Sequence, residues 1–140
     1  MNIGRKLLTT VLTIISFTLI ASIISMNESY SFDFYIIAYF VFATPLILFI
    51  GLPLSLLLDY LLSRIQFANY VLYLTTRILG YGCAGVLGMY IYYLLMGAGE
   101  EILNFKETLI LTLFGVMAAI LFVLVDLGME GLLKVRKRKT

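Results

Sequence analysis

The sequence predicts an all-α integral membrane fold: four transmembrane helices in an antiparallel bundle, with the N- and C-termini cytoplasmic. Three observations lead there. Of 140 residues, 62% are hydrophobic and 13% charged, against roughly 45–50% and about 25% in soluble domains. The mean hydropathy is +1.05, and apolar residues gather in segments of about 20 or more, enough to cross a hydrocarbon core of about 30 Å. Finally, nine of the ten lysines and arginines fall on one side of the layer if there are four crossings. Four segments and their loops occupy nearly the whole chain, which leaves a single membrane domain over residues 1–140.

The first segment covers about residues 7–26. Arg5 and Lys6 precede it, as in a signal peptide. Its apolar run exceeds the roughly 7–15 residues of a signal core, and no small-x-small cleavage pattern precedes Asn27. It is expected to be retained as a helix. A polar link, Asn27 to Asp33, follows.

The second segment covers about residues 34–58 and carries Pro45 and Pro53. Each proline lacks a backbone donor and crowds the preceding turn, so a kink is expected. Gly51 adds local freedom.

Residues 59–77 allow two arrangements. Asp59, Ser63, Gln66, Tyr70, Tyr73 and Arg77 are spaced alternately by four and three, as on one helical face. That face suits a helix lying in the inner interface. A tight turn near Arg64 to Asn69, with the third helix opening at Tyr70, is the favoured alternative. The third helix then covers about residues 70–96, and Gly97-Ala98-Gly99-Glu100-Glu101 ends it. The fourth covers about residues 108–127, followed by a basic tail over residues 134–140.

Charge sets the orientation. Arg5, Lys6, Arg64, Arg77, Lys134, Arg136, Lys137, Arg138 and Lys139 share one side, and Lys106 alone lies on the other. Positively charged segments stay in the cytoplasm, which places both ends inside. Glu28, Asp33, Glu100, Glu101 and Glu107 then face outward. Tyr30, Tyr35, Tyr90, Tyr92 and Tyr93 fall near the outer boundary, and Tyr60, Tyr70 and Tyr73 near the inner one, as interfacial anchors.

Small residues mark packing surfaces. Gly80, Ala84 and Gly88 are four apart on the third helix, and Thr108, Thr112, Gly115 and Ala119 form a stripe on the fourth. Such stripes let helix backbones approach closely. The two are expected to meet each other, or else to meet a second copy or another membrane protein.

Arg77 is the most conspicuous polar residue, about two turns inside the third helix, or roughly 10 Å. A charge there costs about 2.5–3.5 kcal/mol at the bilayer centre, less near the boundary. Asp126 lies at similar depth on the fourth helix, so an intramembrane Arg77–Asp126 ion pair is expected, with Asp59 as the alternative partner.

The residue inventory argues against catalysis. There is no histidine, so imidazole acid–base chemistry and histidine metal ligands are excluded. The one cysteine, Cys83, cannot form an intramolecular disulfide and lies in an apolar helix without a basic neighbour. Glu100-Glu101 matches the paired glutamates of some membrane proteases, but those enzymes also need histidines. No cofactor or metal is expected. Four-helix drug exporters are similar in length but carry a carboxylate in helix one; here that helix offers only Thr9, Thr10, Thr13, Ser16, Thr18, Ser22 and Ser25.

The run Phe49-Ile50-Gly51-Leu52-Pro53-Leu54-Ser55-Leu56-Leu57-Leu58-Asp59-Tyr60 resembles a segment in a family of small uncharacterised multi-pass proteins of Gram-positive bacteria. There a Gly-x-Pro-x-Ser turn in a membrane helix precedes an aspartate at the inner boundary. The resemblance implies a small cell-membrane protein and brings no catalytic residue.

The functional expectation is therefore a non-enzymatic accessory, regulatory or immunity-type protein acting through helix packing. The alternative is a small oligomeric transporter or pore-former with a pathway near Arg77 and Asp126. Expected partners are membrane lipids, with Lys134, Arg136, Lys137, Arg138 and Lys139 against an anionic leaflet, and a second copy or a membrane protein; no nucleic acid is expected.

Overall fold

The computed structural model describes residues 3–26, 29–97 and 105–139. The described residues are almost entirely helical. Four of these helices are long and apolar enough to span a membrane. They are α1 (Ile3–Ser25), α2 (Phe32–Ser63), α3 (Tyr70–Leu95) and α4 (Phe105–Lys139). Glu28, Glu100 and Glu101, expected in outer loops, lie outside the described residues. α1 packs between α2 and α4, and α3 packs between α4 and the second half of α2.

α2 is longer than the expected 34–58. It opens after Ser31 with Asp33 in its first turn, where a carboxylate suits the positive end of the helix dipole. Between Pro45 and Pro53 the backbone widens into a π-helical segment, Leu46–Gly51. The prolines flank this segment, and neither can donate to the carbonyl one turn back, which interrupts the regular α-helical ladder there. The Leu52 N–H accordingly bonds to the Ile47 carbonyl. Beyond it the helix regains α geometry and continues to Ser63.

The link between α2 and α3 is the short turn 64–69. The polar spacing over 59–77 is thus split between two helices. Ser63 bonds to the Tyr60 carbonyl at 2.7 Å and stays exposed, and Tyr70 is also exposed. Only Asp59, Tyr73 and Arg77 turn toward charged partners. α3 ends at Leu95, where Gly97 takes φ = 72°, a left-handed conformation suited to glycine just past a helix end.

α4 extends well past the expected residue 127, and the basic tail forms its last turns to Lys139. Lysine and arginine are good helix formers, and cations in the last turn complement the negative end of the dipole.

The bundle buries a set of polar side chains beside its apolar core and leaves many large apolar side chains exposed. Lys6, Thr9, Thr10, Thr13, Thr18, Ser22, Ser55, Arg77 and Asp126 are buried. On α1, the large residues Leu8, Val11, Leu12, Ile15, Leu19 and Ile23 face out. The inward hydroxyls bond within their own helix: Thr10 to the Lys6 carbonyl at 2.8 Å, Thr13 to that of Thr9 at 2.7 Å, Ser22 to that of Thr18 at 2.6 Å. A helix that turns its hydroxyls inward and its branched apolar side chains outward suits a lipid surround. Away from the buried charges, aromatic rings fill the core. Phe17 meets Tyr39 edge-on at 6.4 Å and Phe114 at 6.3 Å.

Two of the expected interfacial tyrosines on α3 are packed instead. Tyr93 is buried, and Tyr92 meets Phe42 edge-on at 5.1 Å. Tyr90 remains exposed. The three lie on different faces of one helix, so they cannot all reach the surface.

The small residues also sort differently from expectation. A side chain at Gly80 would meet Leu58, and one at Gly88 would meet Ile50. Those glycines therefore face α2, not α4. Gly85, between them, is the residue that meets Gly115 and Ala119 of α4. Ala84 lies between the two contacts, in the wall of an apolar cleft. Cys83 is exposed.

Candidate functional site

Six charged side chains from all four long helices converge at one end of the bundle. α1 brings Arg5 and Lys6, α2 brings Asp59, α3 brings Arg77, and α4 brings Asp126 and Glu130. Three cations thus meet three carboxylates.

Lys6 is the centre on the α2 side. Its Nζ lies 2.6 Å from Asp59 Oδ2, 2.7 Å from Asp126 Oδ2 and 3.0 Å from the Tyr81 hydroxyl. An ammonium has three protons to donate, and three acceptors surround it. Tyr81 in turn donates to Asp59 Oδ1 at 3.0 Å. The ammonium also lies 5.6 Å from the Tyr81 ring centroid and 5.5 Å from that of Phe122, within cation–π range.

Asp126 is the centre on the α4 side and is fully buried. Oδ2 accepts from Lys6 and, at 2.6 Å, from Arg77 Nη2. Oδ1 accepts from Thr9 Oγ1 at 3.3 Å and lies 3.3 Å from Arg5 Nε. Arg77 also grips Glu130 with both ends of its fork, at 3.2 and 3.4 Å, and reaches the Tyr73 hydroxyl at 3.3 Å. Arg5 Nη2 lies 3.2 Å from the same Glu130 carboxylate. Asp59, the alternative partner for Arg77, takes Lys6 instead.

Burying charge is costly unless each group is paired and hydrogen-bonded. Equal numbers of opposite charges, with contacts on both oxygens of each aspartate, meet most of that condition; the buried Arg77 Nε–H is left without a hydrogen-bond partner. The cluster also ties the start of α1 and of α3 to the later turns of α2 and α4. Ion pairs join α1 to α2, α1 to α4 and α3 to α4, and the Tyr81 hydroxyl hydrogen-bonds α3 to Asp59 of α2 and to Lys6 of α1.

The cluster residues that sequence reasoning missed carry a weak signal. Lys6, Thr9, Thr10 and Thr13 share one face of α1, and Lys6 is its charged end. Glu130 lies four residues after Asp126, Tyr81 four after Arg77, and Ser55 four before Asp59. Each therefore sits one turn from a residue already singled out. Arg5 and Lys6 stand out in the sequence as orientation charges ahead of the first helix, whereas α1 starts at Ile3 and includes both.

Beside the cluster runs an apolar cleft of about 50 Å³ between α2, α3 and α4. The π-helical residues Ile47 and Ile50 form one wall, and Gly85 and Gly115 form another. Ser55, Tyr81 and Phe122 also line it. The Tyr81 hydroxyl lies 3.4 Å from the Ser55 carbonyl and reaches the Lys6–Asp59 pair. Among the described residues, no group of three or more histidine, cysteine, aspartate or glutamate side chains could hold a metal ion. No known protein family, curated protein or solved structure matches the chain.

Proposed function

We propose that the chain crosses a cell membrane four times as an antiparallel bundle, with both ends in the cytoplasm, and that it is a non-enzymatic accessory, regulatory or immunity-type protein acting through helix packing. Helix dimensions support the crossing. At 1.5 Å per residue, Lys6 lies roughly 28 Å along α1 from Ser25, Arg77 roughly 27 Å along α3 from Leu95, and Asp126 roughly 30 Å along α4 from Lys106. Each is close to one hydrocarbon thickness of about 30 Å. The charged cluster then sits at one membrane boundary and Lys106 at the other. The excess of lysine and arginine on the cluster side makes that side cytoplasmic.

Fusing a reporter to the C-terminus tests this orientation. A fluorescent protein should be bright and alkaline phosphatase inactive; an active phosphatase would reverse the topology.

The single observation that carries the functional reading is that the cluster is closed. Arg5, Lys6 and Arg77 are used by Asp59, Asp126 and Glu130, so the charges hold helices together instead of being presented to a substrate. The resemblance of residues 49–60 to small multi-pass membrane proteins of Gram-positive bacteria agrees with this and adds no catalytic group.

A second reading has one observation in its favour. Tyr81 joins the Lys6–Asp59 pair to the apolar cleft, which is where a transport pathway past Arg77 and Asp126 would run. Purified protein in liposomes separates the two. The packing reading expects proton and monovalent-cation flux no greater than in empty vesicles, with a specific membrane protein or a second copy crosslinked in native membranes. Flux that vanishes in Asp126→Asn would establish transport instead.

A further inference from the structure

We propose that the second half of α2 is an arm with two registers, with the π-helical segment as its hinge and the Lys6–Asp59 pair as its latch. In the present register the arm turns Ser55, Asp59 and Leu62 inward. Ser55 and Leu62 are buried, and Asp59 lies 2.6 Å from Lys6 Nζ. Their spacing of four and three marks one helical face. Leu54, Leu58 and Leu61 each stand one residue earlier, with the same spacing. The arm thus carries two parallel faces, one partly polar and one wholly apolar, about 100° apart.

The π-helical segment decides which face is turned in. Its extra residue holds the rest of the helix back by one step. If Leu46–Gly51 tightened to α geometry, every later residue would advance by roughly 100° and take the place of the one after it. Leu54, Leu58 and Leu61 would then stand where Ser55, Asp59 and Leu62 are now. Asp59 would move to the place of Tyr60, which is exposed. The surroundings admit the exchange. Leu54 and Ser55 line the same apolar cleft of about 50 Å³, so there is space beside the serine for a leucine. Leu58 already packs against α3, where a Cβ at Gly80 would lie 3.2 Å from it.

Three polar contacts hold the present register. Asp59 takes Lys6, and at 3.0 Å the Tyr81 hydroxyl; that hydroxyl also lies 3.4 Å from the Ser55 carbonyl. Apolar burial adds little, since only Ser55 and Leu62 are buried among the twelve residues Leu52–Ser63. Pro53 crowds the carbonyl one turn back in a regular helix, which keeps the shifted register the higher one while the latch is closed. Without the Asp59 charge the balance reverses. Close packing drives helix association in lipid, and the leucine face fills the cleft. The Asp59 side chain is 17% exposed and that of Asp126 fully buried, so of the two aspartates Asp59 is the one for which a partner's lysine or arginine can compete with Lys6. Such a switch deepens the accessory and regulatory reading above. It presumes a lipid surround but neither orientation.

Cysteine labelling of the full chain in detergent micelles reads the register. In a Cys83→Ser background, Leu61→Cys should react with a water-soluble maleimide faster than Leu62→Cys, because Leu61 is 49% exposed and Leu62 7%. Adding Asp59→Asn should invert that ratio, since residue 61 takes the buried place and residue 62 the exposed place of Ser63; the change should reach about tenfold where the shifted register dominates. Asp59→Glu keeps the charge and should keep the original ratio. Pro53→Ala leaves the cluster intact and relieves the crowding, so it should move the ratio in the same direction as Asp59→Asn. An unchanged ratio in Asp59→Asn and Pro53→Ala would overturn the proposal. Fast labelling at both positions would overturn it too, because the arm would then fray instead of turning. None of these readouts reports topology, so failure here leaves the membrane reading to the reporter fusions.

Discussion

Asp126→Asn is expected to destabilise the bundle by about 3–5 kcal/mol, the usual cost of leaving buried charge without its counter-ion. Asp126 is fully buried and touches Lys6, Arg77, Arg5 and Thr9. Its neutralisation leaves three cations to share Asp59 and Glu130. Lys6→Met should cost less. It removes one cation, but Asp126 keeps Arg77 and Arg5, and Asp59 keeps the Tyr81 hydroxyl. Asp59→Asn should cost least of the three, since its side chain is 17% exposed, which leaves water access for a partner left behind.

The combination is the sharper test. Lys6→Met with Asp59→Asn removes one charge of each sign and leaves Arg5 and Arg77 facing Asp126 and Glu130, again in balance. Replacing both members of a buried pair is far milder than removing one. The double variant should therefore unfold within about 1 kcal/mol of Lys6→Met alone, a non-additivity typical of residues in one network. The measurement is unfolding in mixed detergent micelles, with size exclusion to follow the folded fraction. If Asp126→Asn unfolds with wild-type protein, or the two changes add fully, the charges do not form one network.

Much of the fold was legible because hydrophobic length is so strong a signal in a chain like this one. Four apolar segments of spanning length stand out without any knowledge of packing. Helix ends were harder. Residues 59–77 carry a continuous polar spacing that the chain nevertheless breaks at 64–69, because periodicity records which residues share a face and not whether the helix persists. The end of α4 was missed for a related reason: a run of lysine and arginine marks departure from the membrane, but those residues favour a helix in water too. At the charged end, spacing found Arg77 and Asp126 but ranked Lys6 as an orientation signal. A lysine near a helix start ordinarily snorkels toward water. Lys6 instead turns inward, because Asp59 and Asp126 arrive from helices that are distant in sequence. That convergence has no trace in local pattern.

The π-helical segment shows how these parts depend on one another. Pro45 and Pro53 were expected to bend the second helix, and the backbone between them widens by one residue per turn. An extra residue rotates the rest of the helix by roughly 100° about its axis. It thereby decides which side of the second half of α2 faces inward. Ser55 and Asp59, four residues apart, both lie on the inward side, against Tyr81. The π-helical segment therefore acts at a distance on the ionic cluster, by setting the register of the helix that delivers Asp59.

Glycine positions on α3 should separate close helix packing from mere small-residue content. Gly85→Ala is expected to cost about 1–3 kcal/mol, the usual penalty of overfilling a tight contact. Its Cβ would lie 2.7 Å from the Gly115 carbonyl oxygen and 2.9 Å from Ala119 Cβ. Both are fixed parts of α4, so the two helices must move apart. Gly115→Ala should cost at least as much, because its Cβ would come within 2.2 Å of Met89 Cγ and 3.0 Å of the Gly85 carbonyl oxygen. Met89 is buried in the core, so its side chain has little room to swing aside. Gly82→Ala, with nothing within 4 Å, should be neutral or slightly stabilising, because alanine favours a helix over glycine by roughly 0.8–1.0 kcal/mol. The same unfolding measurement in micelles ranks the three. A loss at Gly82 as large as that at Gly85 would mean that α3 meets a further surface through its open side, such as a second copy of the chain. The predicted order would mean instead that the crossing of α3 and α4 at Gly85 and Gly115 carries the close packing, and with it the approach that brings Arg77 to Asp126.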